Sequence, residues 1–262
     1  MRLTVATPAI VLRSRPYGES DKIVCLLTES HGKITGIAKG AKRSRKRFAN
    51  SLEPFSFVSL RFQDRHHGGL VFILAADLIF AFKSLGSSLE KIILASYLVE
   101  ITDGLTVDRD ENSKIFHHLK NGLLLLNGDV IAPSELLVSF ELELLRLAGY
   151  RPALDSCKRC SLNHLDNSLI RWHFSPADGG ILCERCVQPD REVLPLGKAT
   201  LAALTQLQDH NMVENVYGGA LGGGPMPTAV LKEVRFITQR FLQFHMDREI
   251  RSATFLAKFV AI

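Results

Sequence analysis

The stretch PAIVLRSRPYGESDKIVCLLTESHGKITGIA, residues 8–38, decides the fold of the N-terminal part of the chain. Its apolar, β-branched runs are separated by Pro16-Tyr17-Gly18 and His31-Gly32, residue types that favour tight turns. Runs of this length between such turns are typical of neighbouring antiparallel strands. The pattern predicts three strands, over residues 8–15, 22–28 and 33–38.

Two further runs extend the β pattern towards residue 80. FSFVSLRF at 55–62 alternates apolar and polar side chains, as a half-buried strand requires, and GLVFILA at 69–75 supplies a fifth strand. Five short strands with a long excursion between the third and the fourth fit a small closed barrel of the OB type. An SH3-like barrel is the second choice.

From about residue 82 the apolar residues recur with helical spacing. Helices are predicted after a capping box at Ser87-Ser-Leu-Glu90, near 115–127, from 136 to 148 behind Pro133, at 199–207, and from a capping Thr228 onwards. Residues 218–224 are glycine-rich and predict a flexible loop. The chain is therefore expected to be α+β and multi-domain, with an OB-fold domain at 1–80 and a helical domain at 81–262. A zinc-binding module at 155–190 interrupts the helical domain.

Four of the five cysteines form two Cys-x-x-Cys pairs, CKRC at 157–160 and CERC at 183–186, with 22 residues between them. Two such knuckles place four thiolates around one ion, the arrangement of a structural zinc site. We therefore predict one Zn²⁺ bound by Cys157, Cys160, Cys183 and Cys186, with a hairpin at 172–182 delivering the second pair. The alternatives are free or redox-active cysteines, or His164 or His173 in place of one ligand.

Positive charge is concentrated in the first third of the chain. Residues 1–80 hold 13 basic and 6 acidic residues, whereas the remainder holds 19 and 21. No acid occurs between Glu29 and Glu53. The cations in this interval are Lys33, Lys39, Lys42, Arg43, Arg45, Lys46 and Arg47.

Six of these cations, all except Lys33, fall within residues 39–47 and form an exposed arm between the third and fourth strands. Together the seven predict sequence-independent, salt-sensitive DNA binding. A solvated loop, or a patch for an acidic protein or lipid, is the alternative. Phe48 or Tyr17 would be placed to stack on bases, although packing is the commoner role for each.

The sequence lacks the patterns of several common enzymes and of membrane spans. It contains no GxxxxGK[ST] phosphate loop, no GxSxG and no HExxH, and no run of 18 uncharged apolar residues. The N-terminus does not resemble a secretory signal. These observations favour a non-enzymatic protein of the cytoplasm that does not contact membranes.

Three segments together resemble the bacterial RecO family of DNA repair proteins: residues 8–48, the paired CKRC and CERC, and RFLQFHMDREIRSATFL at 240–256. The resemblance implies an N-terminal OB domain, a helical domain and a zinc module. It also implies binding of single- and double-stranded DNA, annealing of complementary strands and association with the nucleoid.

The implied protein partners are RecR and the acidic C-terminal tail of single-strand-binding protein, with RecF and RecA as indirect partners. In this interpretation the chain acts with RecR to load RecA on coated single strands. Two other hypotheses stay open: a zinc-containing interaction adaptor with incidental DNA contact, and a zinc-dependent nucleic-acid enzyme.

Overall fold

The computed structural model describes residues 4–44, 46–64, 69–128, 133–164, 171–209, 226–246 and 248–259. Arg45, and the glycine-rich loop expected at 218–224, lie outside the described residues. The chain forms two compact units: Met1–Asp129 with Ser252–Phe259, and Val130–Arg251 with Val260–Ile262.

Eight strands and six α-helices are assigned in the described residues. The strands are β1 (Thr4–Tyr17), β2 (Asp21–Thr28), β3 (Lys33–Ala38), β4 (Phe57–Gln63), β5 (Val71–Phe80), β6 (Trp172–Ser175), β7 (Gly180–Cys183) and β8 (Leu194–Leu196). The helices are α1 (Leu89–Leu105), α2 (Ser113–Asn127), α3 (Pro133–Leu147), α4 (Lys198–Asp209), α5 (Thr228–His245) and α6 (Arg251–Phe259). Short 3-10 turns cover Lys83–Ser87 and Glu184–Cys186. Within the described residues, no helix combines the length and apolar character needed to cross a bilayer.

The five predicted N-terminal strands are confirmed, and they form a closed barrel in the order β1-β2-β3-β5-β4. All pairs are antiparallel except β3 with β5. Strand β1 pairs with β4 along its first half and with β2 along its second, and an irregularity between Val11 and Arg13 marks the change. A bulge of this kind bends and twists a strand, which lets one long strand close the barrel.

The barrel interior is apolar and almost completely excluded from solvent. Its core includes Val11, Val24, Leu26, Val58, Leu60, Phe62, Val71 and Ile73. Gly36 lies where β3 meets β5, and a Cβ there would come within 2.7 Å of the Ile73 side chain. Only glycine permits this close parallel crossing, so one residue fixes how the two strands approach.

Helix α1 is confirmed, but the prediction that a capping box at Ser87-Ser-Leu-Glu90 starts it is wrong. Its N-cap is Ser88, whose side chain makes no capping hydrogen bond. Helix α2 is capped instead by Asn112, whose side chain accepts from the Ile115 amide at 3.2 Å.

The second unit contains α3, α4 and α5 and a three-stranded sheet. The hairpin expected at 172–182 is confirmed as β6 and β7, and β8 pairs with β6 on its other side. Helices α3 and α5 share a buried ion pair, in which Arg235 Nη1 lies 2.8 Å from Glu141 Oε1. Because both groups are more than nine-tenths buried, this contact fixes the pairing of the two helices.

The helix expected from Thr228 onwards is confirmed as α5, which ends at His245, and a second helix that the sequence analysis did not separate, α6, begins at Arg251. Thr228 is the first residue of α5, and the N-cap position belongs to Pro227. At the start of α6, Glu100 on α1 accepts hydrogen bonds from the amide and the hydroxyl of Ser252. This acidic cap comes from a distant part of the chain, so no local pattern signals where α6 begins.

Candidate nucleic-acid interface and metal centre

The basic loop, residues 39–53 between β3 and β4, is folded onto the barrel and is not the free arm expected from its composition. The Ala76 amide donates to the Arg47 carbonyl at 3.0 Å, and Ser51 Oγ donates to the Ala76 carbonyl at 2.6 Å. Phe48 and Leu52 belong to the barrel core. The backbone of the loop is therefore anchored to β5.

Asp21, at the start of β2, fixes the first turn of the basic loop. Its Oδ1 accepts from the Gly40 amide at 2.8 Å and from Ser20 Oγ at 3.0 Å. These hydrogen bonds, together with the nearby charges of Lys39 and Lys42, lower the pKa of the Asp21 carboxyl. The carboxylate stays ionised and keeps the turn in place.

Five cations of the basic loop are exposed: Lys39, Lys42, Arg43, Lys46 and Arg47. In the described part of the chain, none of them forms a salt bridge with a carboxylate. Lys39 lies 5.6 Å from the centre of the Phe72 ring and Arg47 lies 5.0 Å from that of Phe48. The aromatic faces orient these two cations without a salt bridge to a carboxylate.

Lys33 is an exception among the seven predicted DNA-binding cations, because the structure buries it. Its residue is 9% exposed, and its Nζ lies 2.8 Å from the Asp103 carbonyl oxygen and 3.3 Å from Asp103 Oδ1. Arg13 Nε lies 3.0 Å from the other carboxylate oxygen of Asp103. Lys33 therefore neutralises a buried carboxylate of α1 and is not available to a phosphate.

The two candidate stacking residues differ in exposure. Phe48 is 4% exposed and packs in the barrel core, whereas Tyr17, at the end of β1, is 53% exposed. Of the two candidates, Tyr17 is the one that presents an aromatic face to solvent.

Beside the basic loop lies a cleft of about 650 Å³ that the sequence does not signal. Besides Lys42 and Arg43, its lining includes Lys22, Asn50 and Glu53. Lys22 Nζ and Glu53 Oε1 form an ion pair at 2.6 Å. Lys22, Asn50 and Glu53 belong to no sequence motif, so the sequence does not identify them as neighbours.

The structure brings all four predicted cysteine ligands together. The Sγ atoms of Cys157, Cys160, Cys183 and Cys186 all lie within 4.8 Å of one another, and the Cys160 and Cys183 sulfurs are 3.7 Å apart. Zinc bound by four thiolates at about 2.3 Å places its sulfurs about 3.8 Å apart. Spacing and donor type therefore fit a four-coordinate metal site. His164 and His173 are not among the clustered groups.

The electrostatics of the cluster also suit a cation. Burial raises the pKa of Cys157, but backbone N–H donors outweigh burial and bring it to about 6. Burial and the neighbouring thiols raise the pKa of Cys186 to about 12. The Cys157 thiolate therefore forms readily. The Cys186 thiolate forms with difficulty, because negative charge accumulates as the neighbouring thiols ionise. A bound metal ion offsets that repulsion.

Arg159, inside the first knuckle, connects it to the hairpin and to the second knuckle. Its Nε lies 3.0 Å from Asp178 Oδ1, and its Nη1 donates to the Cys186 carbonyl at 3.2 Å. The hydrogen bond from Arg159 lowers the pKa of the Asp178 carboxyl. From sequence alone Arg159 is only a charge that offsets the thiolates.

Two family models match the chain, one after the other. The model described as Recombination protein O N terminal matches residues 1–82, and that described as Recombination protein O C terminal matches residues 86–254. Together they span the barrel, the helices and the cysteine cluster.

Several relatives match over nearly the full length of both chains. The protein from Anaeromyxobacter sp. (strain K), named DNA repair protein RecO, is 34% identical over 252 residues, covering 96% of this chain and 95% of its own. The proteins of the same name from Myxococcus xanthus and Thermoanaerobacter sp. are 34% and 30% identical, covering 95% and 98% of this chain and 96% and 98% of their own. The chain therefore belongs to the RecO family of DNA repair proteins.

Proposed function

We propose that the chain is a non-enzymatic DNA-binding recombination mediator that anneals complementary strands. The observation that carries this proposal is the basic loop, which presents five exposed cations free of carboxylate salt bridges on an anchored backbone. We infer that the barrel is of the OB type, because it has five strands and a β1-β2-β3-β5-β4 order.

The loop is suited to hold phosphate backbones of either single- or double-stranded DNA. Each cation that neutralises a phosphate releases condensed counterions, so binding is strong at low salt and independent of sequence. Neutralising two strands at one surface reduces their repulsion while base edges stay free to pair. Annealing then follows from the charge of the loop without a catalytic group.

Membership of the family supports a wider role for the remaining parts of the chain. We propose that residues 1–80 carry DNA binding, and that residues 81–262 carry contacts with RecR and with the tail of single-strand-binding protein. In this role the chain works with RecR to load RecA on coated single strands, with RecF as an indirect partner, in the cytoplasm at the nucleoid. Residues 155–190 form the metal module, which we propose holds one structural Zn²⁺ on Cys157, Cys160, Cys183 and Cys186.

A zinc-containing interaction adaptor is the second candidate function. The observation that favours it is the cysteine cluster itself, since four thiolates close a structural site and many such modules serve protein contacts. In an adaptor the charge of the basic loop would be incidental to function.

The decisive experiment neutralises the loop and measures DNA binding against salt concentration. With Lys39, Lys42, Arg43, Lys46 and Arg47 replaced by Gln, the slope of log affinity against log salt for a single strand should fall by about 3 to 4. Strand annealing should be lost with it. Circular dichroism establishes that the variant is folded.

The matched control replaces five exposed cations outside the loop with Gln: Lys114, Arg171, Lys198, Lys232 and Lys258. It changes the net charge equally, and it should leave most of the salt slope and annealing intact. Unchanged annealing in the loop variant would favour the adaptor. Equal losses in both variants would show that overall charge, and not the loop, holds the DNA.

A further inference from the structure

The four clustered cysteines differ in how far solvent reaches them. Cys157 and Cys183 are each 1% exposed, and Cys186 is half-buried. Cys160 is the exposed member of the set. Because a thiolate reacts with a dissolved oxidant only where solvent reaches it, the cluster has one favoured point of attack.

Cys160 also has a thiol close by on the other knuckle. Its Sγ lies 3.7 Å from Cys183 Sγ, so the two sulfurs have to approach by about 1.7 Å to form a disulfide. The other thiol of its own knuckle is engaged elsewhere, since Cys157 Sγ accepts a hydrogen bond from the Cys183 amide at 3.4 Å. A bond between Cys160 and Cys183 would therefore join the two knuckles, and would not close the first knuckle on itself.

We propose that Cys160 is an oxidation site, and that a peroxide links it to Cys183 by a disulfide that makes the module release its metal. The inference rests on the proposed structural metal and deepens it, because it gives the condition under which the module loses its ion. It concerns the second compact unit and is independent of the basic loop, which lies in the first.

The oxidation takes place in two steps. The Cys160 thiolate attacks one oxygen of hydrogen peroxide, the O–O bond breaks, hydroxide leaves and the sulfur becomes a sulfenic acid. The Cys183 thiolate then attacks that sulfur, the S–O bond breaks and a second hydroxide leaves as the S–S bond forms. The two sulfurs together lose two electrons, which the peroxide gains.

The disulfide changes the cluster in a way that a cation cannot survive. Two of the four anionic ligands are lost, so the remaining pair, Cys157 and Cys186, holds an ion only weakly. A dithiol reductant breaks the bond by thiol–disulfide exchange and restores all four ligands. The modification is therefore reversible.

The sequence allows the oxidised pair to be identified directly in the full chain. Each of the four ligands lies in a different tryptic peptide, because trypsin cuts after Lys158, Arg159, Arg171 and Arg185. After graded exposure to hydrogen peroxide and alkylation of free thiols, non-reducing mass spectrometry should find peptide 160–171 joined to peptide 172–185. Zinc release to a chromogenic chelator should follow the same time course. Cys25, which is buried outside the cluster, should stay reduced.

Cys160→His and Cys186→His form a matched pair of variants. Each leaves three cysteines and one imidazole, a ligand set that also binds structural zinc. Cys160→His should release zinc to peroxide at least about tenfold more slowly than the wild-type chain does, because the exposed thiolate is gone. Cys186→His should release zinc at the wild-type rate.

A first disulfide inside one knuckle, between Cys157 and Cys160 or between Cys183 and Cys186, would overturn the proposed bond. Equal protection by the two variants would overturn Cys160 as the point of attack. A zinc-loaded chain that keeps its metal after the disulfide has formed would refute the release alone. A reduced chain that holds no zinc would refute the proposed metal site and the release together.

Discussion

The basic loop and the cysteine cluster are both irregular segments with a predicted ligand, yet they are held in opposite ways. The loop is anchored by backbone hydrogen bonds to β5 and by Phe48 and Leu52 in the barrel core. The cluster is a set of converging thiols whose charges repel when ionised. The backbone of the loop is held without any ligand, whereas ionised thiols in the cluster repel one another unless a cation offsets their charge. If the proposed ligands are correct, the loop is suited to bind and release DNA, and the cluster to retain its metal.

The largest effect that tests this contrast comes from removing two of the proposed metal ligands. Cys157→Ser combined with Cys183→Ser should abolish zinc binding and unfold the module, since structural zinc contributes about 10–16 kcal/mol in isolated fingers. Trp172, the single tryptophan of the chain, pairs with Cys183 in the hairpin and reports on the module by its fluorescence.

DNA affinity and its salt slope should stay near wild type in this double variant, because the basic loop belongs to the other compact unit. Cys25→Ser, a buried cysteine outside the cluster, should retain one zinc per chain by mass spectrometry. If the double variant retained zinc, the proposed role of the cysteine cluster, and with it the contrast with the basic loop, would be refuted.

The next effect separates Lys33, which the structure buries, from the exposed cations of the basic loop. Lys33→Met leaves Asp103 only partly neutralised by Arg13 and should lower the free energy of unfolding by about 2–3 kcal/mol. Urea titration measures this loss, and the salt slope of DNA binding should not change.

Lys46→Met is the counterpart on the exposed loop. It should change the free energy of unfolding by less than about 0.5 kcal/mol and reduce the salt slope by about 0.7 for a single strand. If Lys33→Met weakened DNA binding as Lys46→Met does, Lys33 would belong to the interface after all.

A smaller effect should follow from Arg159→Gln in the metal module. Losing the contacts to Asp178 and to the Cys186 carbonyl should speed zinc transfer to a chelator by about tenfold, as for other groups that orient metal ligands. Lys158→Gln removes the same charge from an exposed neighbour in the same knuckle and should have little effect. If zinc left the two variants at equal rates, Arg159 would act only through its positive charge and not through its hydrogen bonds.

The smallest effect concerns Asp21 and the turn that it caps. Its lowered pKa means that the ionised carboxylate stabilises the turn at neutral pH, and that this contribution is lost as pH falls below the usual Asp range. Asp21→Ala should raise the hydrogen-exchange rate of the Gly40 amide by about 3- to 10-fold, the effect of one hydrogen bond. Ser20→Ala removes only the side-chain partner of Asp21 and should change that rate less. An unaltered exchange rate in Asp21→Ala would mean that core contacts alone hold the loop.

The features that the sequence predicted well are local ones. Alternating apolar residues around the turns at 16–18 and 31–32 specify β1 to β3, and two Cys-x-x-Cys pairs specify a cluster whatever surrounds them. The features that were missed depend on partners far along the chain. Lys33 sits in a run free of acids, yet its partner Asp103 is 70 residues away. The cleft likewise combines Lys22 with Asn50 and Glu53, which only the folded loop brings together.

The approach of residues 103–110 to the β2–β3 turn limits how the barrel can be separated from the rest of the chain. Gly32 has a φ of +61°, and a Cβ there would lie 2.2 Å from the Asp110 carbonyl oxygen, so the two backbones are in direct contact. The Arg109 amide donates to the Lys33 carbonyl at 2.8 Å in the same place. A fragment that stops at residue 80 would keep the lysine ammonium and discard the carboxylate that neutralises it. Transplanting the barrel into another protein, or expressing it by itself, would therefore require the first helix and the turn after it to be included.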